Sequence, residues 1–415
     1  MTGTKPQHAP QIHFPVVDDV LQVGGIPLTR LAERVGRTPF FALDRAVCSA
    51  QVAGLRAILP PQVALHYSIK ANPMPALVQH MAGLVDGLDV ASSGELKTAL
   101  DTGKDPAHIS FAGPAKTDAE LRQAIAAGVC LNIESEHELA RAARIGDALG
   151  ITPRVALRIN PAFELKSSGM KMGGGAKPFG IDEELAPAVL RQVASLGLDF
   201  QGFHIFSGSQ SLRLDAIVEA QSRSIELAMR LAGDSPLALR QLNIGGGLGI
   251  PYFPGEVRLD PAPMGEHLAA WLPRLAAALP QARLALELGR YLVGEAGVYV
   301  ARVIDRKVSR GEVFLALDGG MHHHLAASGN LGQVIRKNYP VAVGNRMNAG
   351  GDAPDSGPAS ATGPLCTPLD ILAERMPLAH ARVGDLVVVF QSGAYGASAS
   401  PAMFLGHPPA LEVLV

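Results

Sequence analysis

The sequence predicts an α/β protein, an N-terminal (β/α)8 barrel of the TIM type followed by a C-terminal β-sandwich or β-barrel domain. Three observations carry that expectation. Apolar strand-like runs alternate with helix-like segments eight times between residues 63 and 290. Polar and ionisable residues gather at the carboxyl ends of those runs, the end of a barrel that holds its functional groups. After Arg290 the rhythm changes to strands without long intervening helices. An open doubly wound sheet is the competing architecture, but it seldom runs to eight strictly alternating units.

Taken in order, residues 1–37 read as a polar leader and a short helix over Thr29–Val35 closed by Gly36. Residues 38–44 form a strand expected to join the C-terminal domain. Cys48–Leu59 has helical spacing and stops at Pro60-Pro61. The barrel is placed at 45–290, with strands at Val63–Lys70, Gly87–Ala91, His108–Ala112, Val129–Glu134, Arg154–Asn160, Phe200–Phe206, Leu239–Gly245 and Leu284–Arg290. The β domain spans 291–415, with strands at Gly297–Ile304, Glu312–Leu317, Asp385–Phe390 and Leu411–Val415. Gly344–Pro364, rich in Gly, Ala, Ser, Asp and Pro, is expected to be a mobile loop.

Composition narrows the function classes. A formal charge of −2 over 415 residues gives no electrostatic case for nucleic acid or an anionic membrane. No apolar run approaches the roughly 20 residues needed to span a bilayer, and the N-terminus lacks the apolar core of a secretory signal. Cys48, Cys130 and Cys366 are widely spaced and match no disulfide or zinc framework. A reducing cytoplasm is the expected compartment.

The strand ends supply the candidate chemistry. Strand one ends in Lys70, which is either an amine snorkelling to solvent or a desolvated amine able to form a Schiff base. Strand two carries Asp89, strand five Arg158 and strand six His204 followed by Ser209. Strand seven ends in Gly245-Gly246-Gly247, which a phosphate could approach closely for want of side chains. Their plainer reading is a turn needing φ > 0. Strand eight places Glu287 in an apolar run ahead of Gly289 and Arg290. A buried carboxylate must meet a cation, either Arg290 or Arg158, or a protonated ring nitrogen. Amine, anion cradle and buried carboxylate together match the needs of pyridoxal 5'-phosphate. His322-His323-His324 point in different directions on a strand or turn, so no metal is expected there.

With these residues in view, the chain resembles the fold type III, alanine-racemase-like, pyridoxal-phosphate decarboxylases, the group of diaminopimelate, ornithine and arginine decarboxylases. The resemblance spans about residues 20–415 through HYSIKAN, LDVASSGEL, FHIFSGSQ, NIGGGLGI, ELGR, LDGGM, GPLCTPLD and GAYG in order. It implies that Lys70 holds the cofactor as a Schiff base and that His204 stacks on its ring. Gly245, Gly246, Gly247, Ser209, Arg290 and Tyr395 would bind the phosphate. Glu287 would keep the ring nitrogen protonated and support the carbanion left by CO2. Asp89, Arg158 and Gly289 join the cofactor set; Arg290, Thr367, Asp370 and Tyr395 form the substrate set. Cys366 would be the proton donor, reaching in from the second subunit of a homodimer.

The departures from the family pattern bear on substrate. Diaminopimelate enzymes carry a glutamate after the catalytic cysteine and ornithine enzymes an aspartate; here that residue is Thr367. An arginine and a tyrosine that grip diaminopimelate correspond to Ala326 and Asn330. The histidine motif holds two extra residues, Phe206 and Ser207. The substrate is therefore expected to be none of diaminopimelate, ornithine or arginine. The variants look like decarboxylases associated with exosortase gene clusters, or those acting on carrier-tethered amino acids. A diaminopimelate decarboxylase proper, a racemase of the same fold and a non-catalytic cofactor carrier are the alternatives.

Overall fold

The apolar runs become eight parallel strands: Ala64–Ser68, Gly87–Val90, Ile109–Phe111, Cys130–Ile133, Arg154–Asn160, Asp199–Ile205, Gln241–Asn243 and Arg283–Leu288. Each pairs with the next, and the eighth returns to the first with Glu287 opposite His66, so the sheet closes into a barrel without edges. The structure is a computed structural model and describes residues 6–164, 170–171, 173–233, 235–348 and 357–415. Two compact units emerge: Gln51–Ile250 with Leu259–Tyr291, and Met1–Ala50 with Pro251–Arg258 and Leu292–Val415.

In the barrel unit, strand alternation decides what faces inward. On strand one Leu65 and Tyr67 are fully buried on one face, while Ala64, His66 and Ser68 take the other. Helices cover the strands' outer faces, and their starts are set by local chemistry. Ser92 and Ser135 each accept a backbone N–H three residues on, from Glu95 and Glu138. Thr117 and Glu120 form a reciprocal capping box. Glycines in the left-handed region, Gly128 and Gly150, end two of these helices.

Strand six carries a bulge: Phe200 faces Val155, and the next pair is Gly202 with Ala156. Gly202 sits at φ +147°, and a Cβ there would lie 1.8 Å from the Gln241 carbonyl oxygen. Only glycine lets strands six and seven meet at this level, two residues below His204.

The other unit is built on a mixed sheet. Its spine is the 13-residue strand Gly297–Ser309, which pairs with Glu312–Leu317 and Leu386–Val389. Phe40–Leu43 lies antiparallel to that spine and parallel to Leu411–Leu414, so both ends of the chain enter one sheet. Phe40, Ala42, Val298, Val300, Leu386 and Val388 make its core.

Three sequence expectations are corrected here. The leader is not featureless: Val16–Val17, Val20–Val23 and Ile26–Pro27 form a small meander that buries Leu21 and Val23 completely, before a helix over Leu28–Val35. The span 45–290 is not all barrel. Pro251–Arg258 belongs to the β unit because Tyr252 stacks on Tyr339 at 4.6 Å and Arg258 donates to Glu295 at 2.7 Å. The loop expected at 344–364 contains a strand, Ala359–Thr362, paired with Glu312–Leu317; its stretch 349–356 lies outside the described residues. Among the described residues no helix is long and apolar enough to cross a membrane.

Gly202→Ala should destabilise the barrel by about 3 kcal/mol or more, because backbone must move to clear the new methyl. Urea unfolding of the variant, read against wild type, checks this; an unchanged midpoint contradicts the bulge geometry.

Candidate active site

Strand one stops in a single 3-10 turn, Ile69–Ala71, that carries Lys70 at the barrel's carboxyl end. The turn is held from both sides. The Tyr67 hydroxyl donates to the Asn72 carbonyl at 2.8 Å, and the Asn72 side chain accepts the Met74 N–H at 3.1 Å. Pro73 and Pro75 then start a new helix, Pro75–Ala82, rather than extending the strand.

Glu287, on strand eight, lies 5% exposed and is the hub of the site. Its Oε1 accepts from the Ser68 hydroxyl at 2.9 Å and stands 3.5 Å from Lys70 Nζ. Its Oε2 lies 2.9 Å from His204 Nε2. Burial alone would push this carboxyl up; the Lys70 charge and the bonds from His204 and Ser68 outweigh it and hold Glu287 well below the usual carboxylate range. The other ring nitrogen of His204, Nδ1, is buried with no hydrogen-bond partner among the described residues.

Next to this cluster, strand seven opens into the glycines. The Asn243 side chain accepts the Gly245 N–H at 2.8 Å and ends the strand. Gly245 and Gly247 adopt φ +69° and +82°, and a Cβ on Gly246 would fall 2.2 Å from the Glu287 carbonyl oxygen. The facing loop is fastened to them. Ser211 donates to the Gly247 carbonyl at 2.9 Å and Gly249 returns a bond to Ser211 at 2.8 Å. The Gln210 amide donates to the Ile250 carbonyl and accepts its N–H. Ser209 leads directly into this clamp. Gly289 lets strand eight pass close to the Lys70 turn, since a Cβ there would come within 2.7 Å of the Ala71 methyl; Arg290 begins the following short helix.

The structure thus brings Lys70, His204 and Glu287 together and places the glycine loop beside them. Asp89 and Arg158, expected among the cofactor contacts, are held by neighbours within the barrel unit. Asp89 accepts the Ser110 hydroxyl and faces His66 at 3.3 Å; Arg158 donates to Glu134 at 2.8 Å and stacks on Phe179. Arg158 thus pairs with Glu134 rather than with Glu287, while the second carboxylate oxygen of Asp89, Oδ2, is buried with no hydrogen-bond partner among the described residues. Sequence reading assigned no role to Ser68, although it was legible as a polar residue two positions before Lys70, sharing its strand face with His66.

Cys366, Thr367, Asp370 and Tyr395 lie in the β unit. Cys366 is exposed. Tyr395 holds φ +53°, a strained position for a bulky residue and one that marks functional turns. Asp370 is 2% exposed, and its carboxylate accepts the N–H groups of Met321 at 2.6 Å and Leu365 at 2.8 Å. It ties the LDGGM turn to the cysteine turn. Of the histidine run, His323 lies 2.9 Å from the Pro408 carbonyl and His324 lies 2.9 Å from the Ser392 hydroxyl.

Pyridoxal phosphate requires an amine, a carboxylate for a ring nitrogen, a flat neighbour and a cradle free of side chains. Lys70, Glu287, His204 and Gly245–Gly247 fit that list. Over residues 46–294 the chain matches the pyridoxal-binding domain of the pyridoxal-dependent decarboxylases. It is 37% identical over 391 residues to L-glutamyl-[BtrI acyl-carrier protein] decarboxylase from Niallia circulans, covering 93% of this chain and 90% of that one. It is 34% identical over 396 residues to diaminopimelate decarboxylase from Pseudomonas aeruginosa, covering 92% and 89%. The crystal structure of diaminopimelate decarboxylase from Helicobacter pylori complexed with L-lysine superimposes with a TM-score of 0.80 at 26% identity, covering 93% and 94%. The chain belongs to the pyridoxal-dependent decarboxylases of the diaminopimelate and ornithine type, and pyridoxal 5'-phosphate is its cofactor.

Proposed function

We propose that this decarboxylase acts on an amino acid whose distal end carries no free amine, an aminoacyl group tethered to a carrier protein. Lys70 is the amine that holds the cofactor, Glu287 the carboxylate at its ring nitrogen, and Cys366 the proton donor, supplied by a second copy of the chain. The observation that carries the chemistry is the Glu287 carboxylate, buried and kept ionised beside Lys70. When bound, pyridoxal phosphate supplies an electron sink for the pair left behind by CO2.

The protein's own groups do the rest. Glu287 can hold a proton on a facing nitrogen because its negative charge persists although the carboxylate itself is buried. His204 is fixed in orientation by its bond to Glu287. The glycine loop offers backbone to a dianion at a distance that any side chain would forbid. An exposed thiol at Cys366 is placed in a turn that Asp370 holds rigid. A thiol acid of this kind needs a reducing compartment, in keeping with the cytoplasm.

The substrate reading rests on the same turn. Asn330 donates to the Leu369 carbonyl at 3.2 Å, so the segment after LDGGM runs beside the cysteine turn. Together they carry Thr367, Asn330 and Ala326, none charged, and the Asp370 carboxylate beside them is 2% exposed with each oxygen accepting a backbone N–H. A free distal ammonium would find no partner there, and a buried unpaired charge is costly. A distal group already converted to an amide or thioester carries no such penalty, and the Niallia relative's name specifies such a tethered glutamyl group.

CO2 release from glutamyl- or other aminoacyl-carrier protein should exceed that from free diaminopimelate, ornithine or arginine by at least about tenfold in kcat/KM. Preference for free diaminopimelate would overturn the substrate reading. Cys366→Ala should slow decarboxylation by about 10²–10⁴-fold while leaving the cofactor's visible absorbance in place, whereas Lys70→Ala should abolish that absorbance. Mixing the two inactive variants should restore activity that neither has alone; mixtures as inactive as their components would exclude a site shared between copies.

A further inference from the structure

We propose that Phe206 is a positioning residue for Lys70, its ring face holding the charged amine at the barrel mouth. The inference rests on Lys70 being the cofactor-holding amine, but the geometry is independent of that reading. Phe206 is half-buried and is one of the two residues that lengthen the histidine motif, immediately after strand six. Lys70 Nζ sits over its ring, 5.2 Å from the centroid, within the range where the negative face of an aromatic ring attracts an ammonium.

The ring has little freedom to leave. A Cβ on Gly245 would lie 2.7 Å from Phe206 Cδ2 and 3.3 Å from its Cα, so the first glycine of the loop packs directly behind it. The His204 ring stands 6.4 Å away, centroid to centroid. Two residues further on, Gly208 and Ser209 pair antiparallel with Lys171 and Met170, which ties down the far side of the insertion. The extra residues therefore do not bulge outward; they set a ring between the glycine loop and the amine.

What faces Lys70 can be named. Glu287 from strand eight stands at 3.5 Å, His204 from strand six joins through Glu287, and Glu95, from the helix after strand two, feels the Lys70 charge. The carboxylates favour the ammonium from their side and Phe206 adds to that from another. Removing the ring's quadrupole while keeping its apolar bulk should therefore lower the pH at which the Lys70 amine loses its proton. Side chains of similar bulk preserve packing and desolvation, so the effect separates an electrostatic role from space filling.

The test compares wild type with Phe206→Leu and Phe206→Tyr. In the cofactor-free protein, the rate at which an amine-acylating reagent modifies Lys70 is followed against pH by peptide mass spectrometry. Phe206→Leu should shift the midpoint down by about half a pH unit, and Phe206→Tyr should titrate with wild type. In the cofactor-loaded protein, the pH dependence of the visible absorbance should move in the same direction for Leu alone. Leu and Tyr variants that both titrate with wild type overturn the proposal, as does a shift common to both. A wild type that takes up no cofactor would count against the functional reading, while the acylation profiles would still decide the role of Phe206.

Discussion

The barrel depends on one buried carboxylate. Glu287 sits where an isolated charge would cost several kcal/mol, and it is tolerated because three donors from two other strands converge on it: Ser68 and Lys70 from strand one and its turn, His204 from strand six. Strand eight must lie against strand one in the observed register for this to happen, with Glu287 opposite His66. A slip by one residue would turn Glu287 outward and leave Lys70 and His204 without it. The interaction that gathers Lys70 and His204 also fixes the register in which the barrel closes.

Similar logic runs through the rest of the interior. Arg158 and Glu134 pair at 2.8 Å, and Glu134 accepts two further N–H groups, from Gly113 and Gly180. Lys116, 4% exposed, meets Glu138 and two backbone carbonyls. His66 fills the space beside Gly87, whose Cβ would lie 2.7 Å from the imidazole. A barrel interior layered with aliphatic side chains would gain more from burial. This one is filled with groups that need specific partners, so stability is exchanged for a single permitted arrangement.

Much of this was legible in the sequence because alternation and strand-end polarity are strong signals. Arg154–Asn160 and Glu312–Leu317 have the bounds expected of them, and the convergence of Lys70, His204 and Glu287 follows from closing the eight strands. What escaped notice lacks a period. The leader's strands are two to four residues long and turn at Asp18 and Asp19, both at positive φ, so neither a helical nor a strand repeat can develop. Ala359–Thr362 reads Ala-Ser-Ala-Thr beside a Gly/Pro-rich stretch and becomes a strand because Glu312–Leu317 and Ile371–Met376 pair with it on either side. That Asp370 meets Met321 and Leu365, and Arg158 meets Glu134, is a long-range fact that residue identity does not contain.

The changed residues also divide by task. Every partner of Glu287 named above comes from strands one and six, and none coincides with the positions that depart from the diaminopimelate pattern. Thr367, Asn330 and Ala326 lie in turns of the β unit, organised around Asp370 rather than around the barrel. Substituting them leaves the Glu287 cluster of the barrel unit untouched. Phe206 is the exception, an insertion made inside the barrel unit beside Lys70. Alterations of the first kind change neutral side chains in turns that Asp370 organises. The second kind sets an aromatic face 5.2 Å from a charged nitrogen, so its effect is electrostatic and falls on the same amine that Glu287 meets.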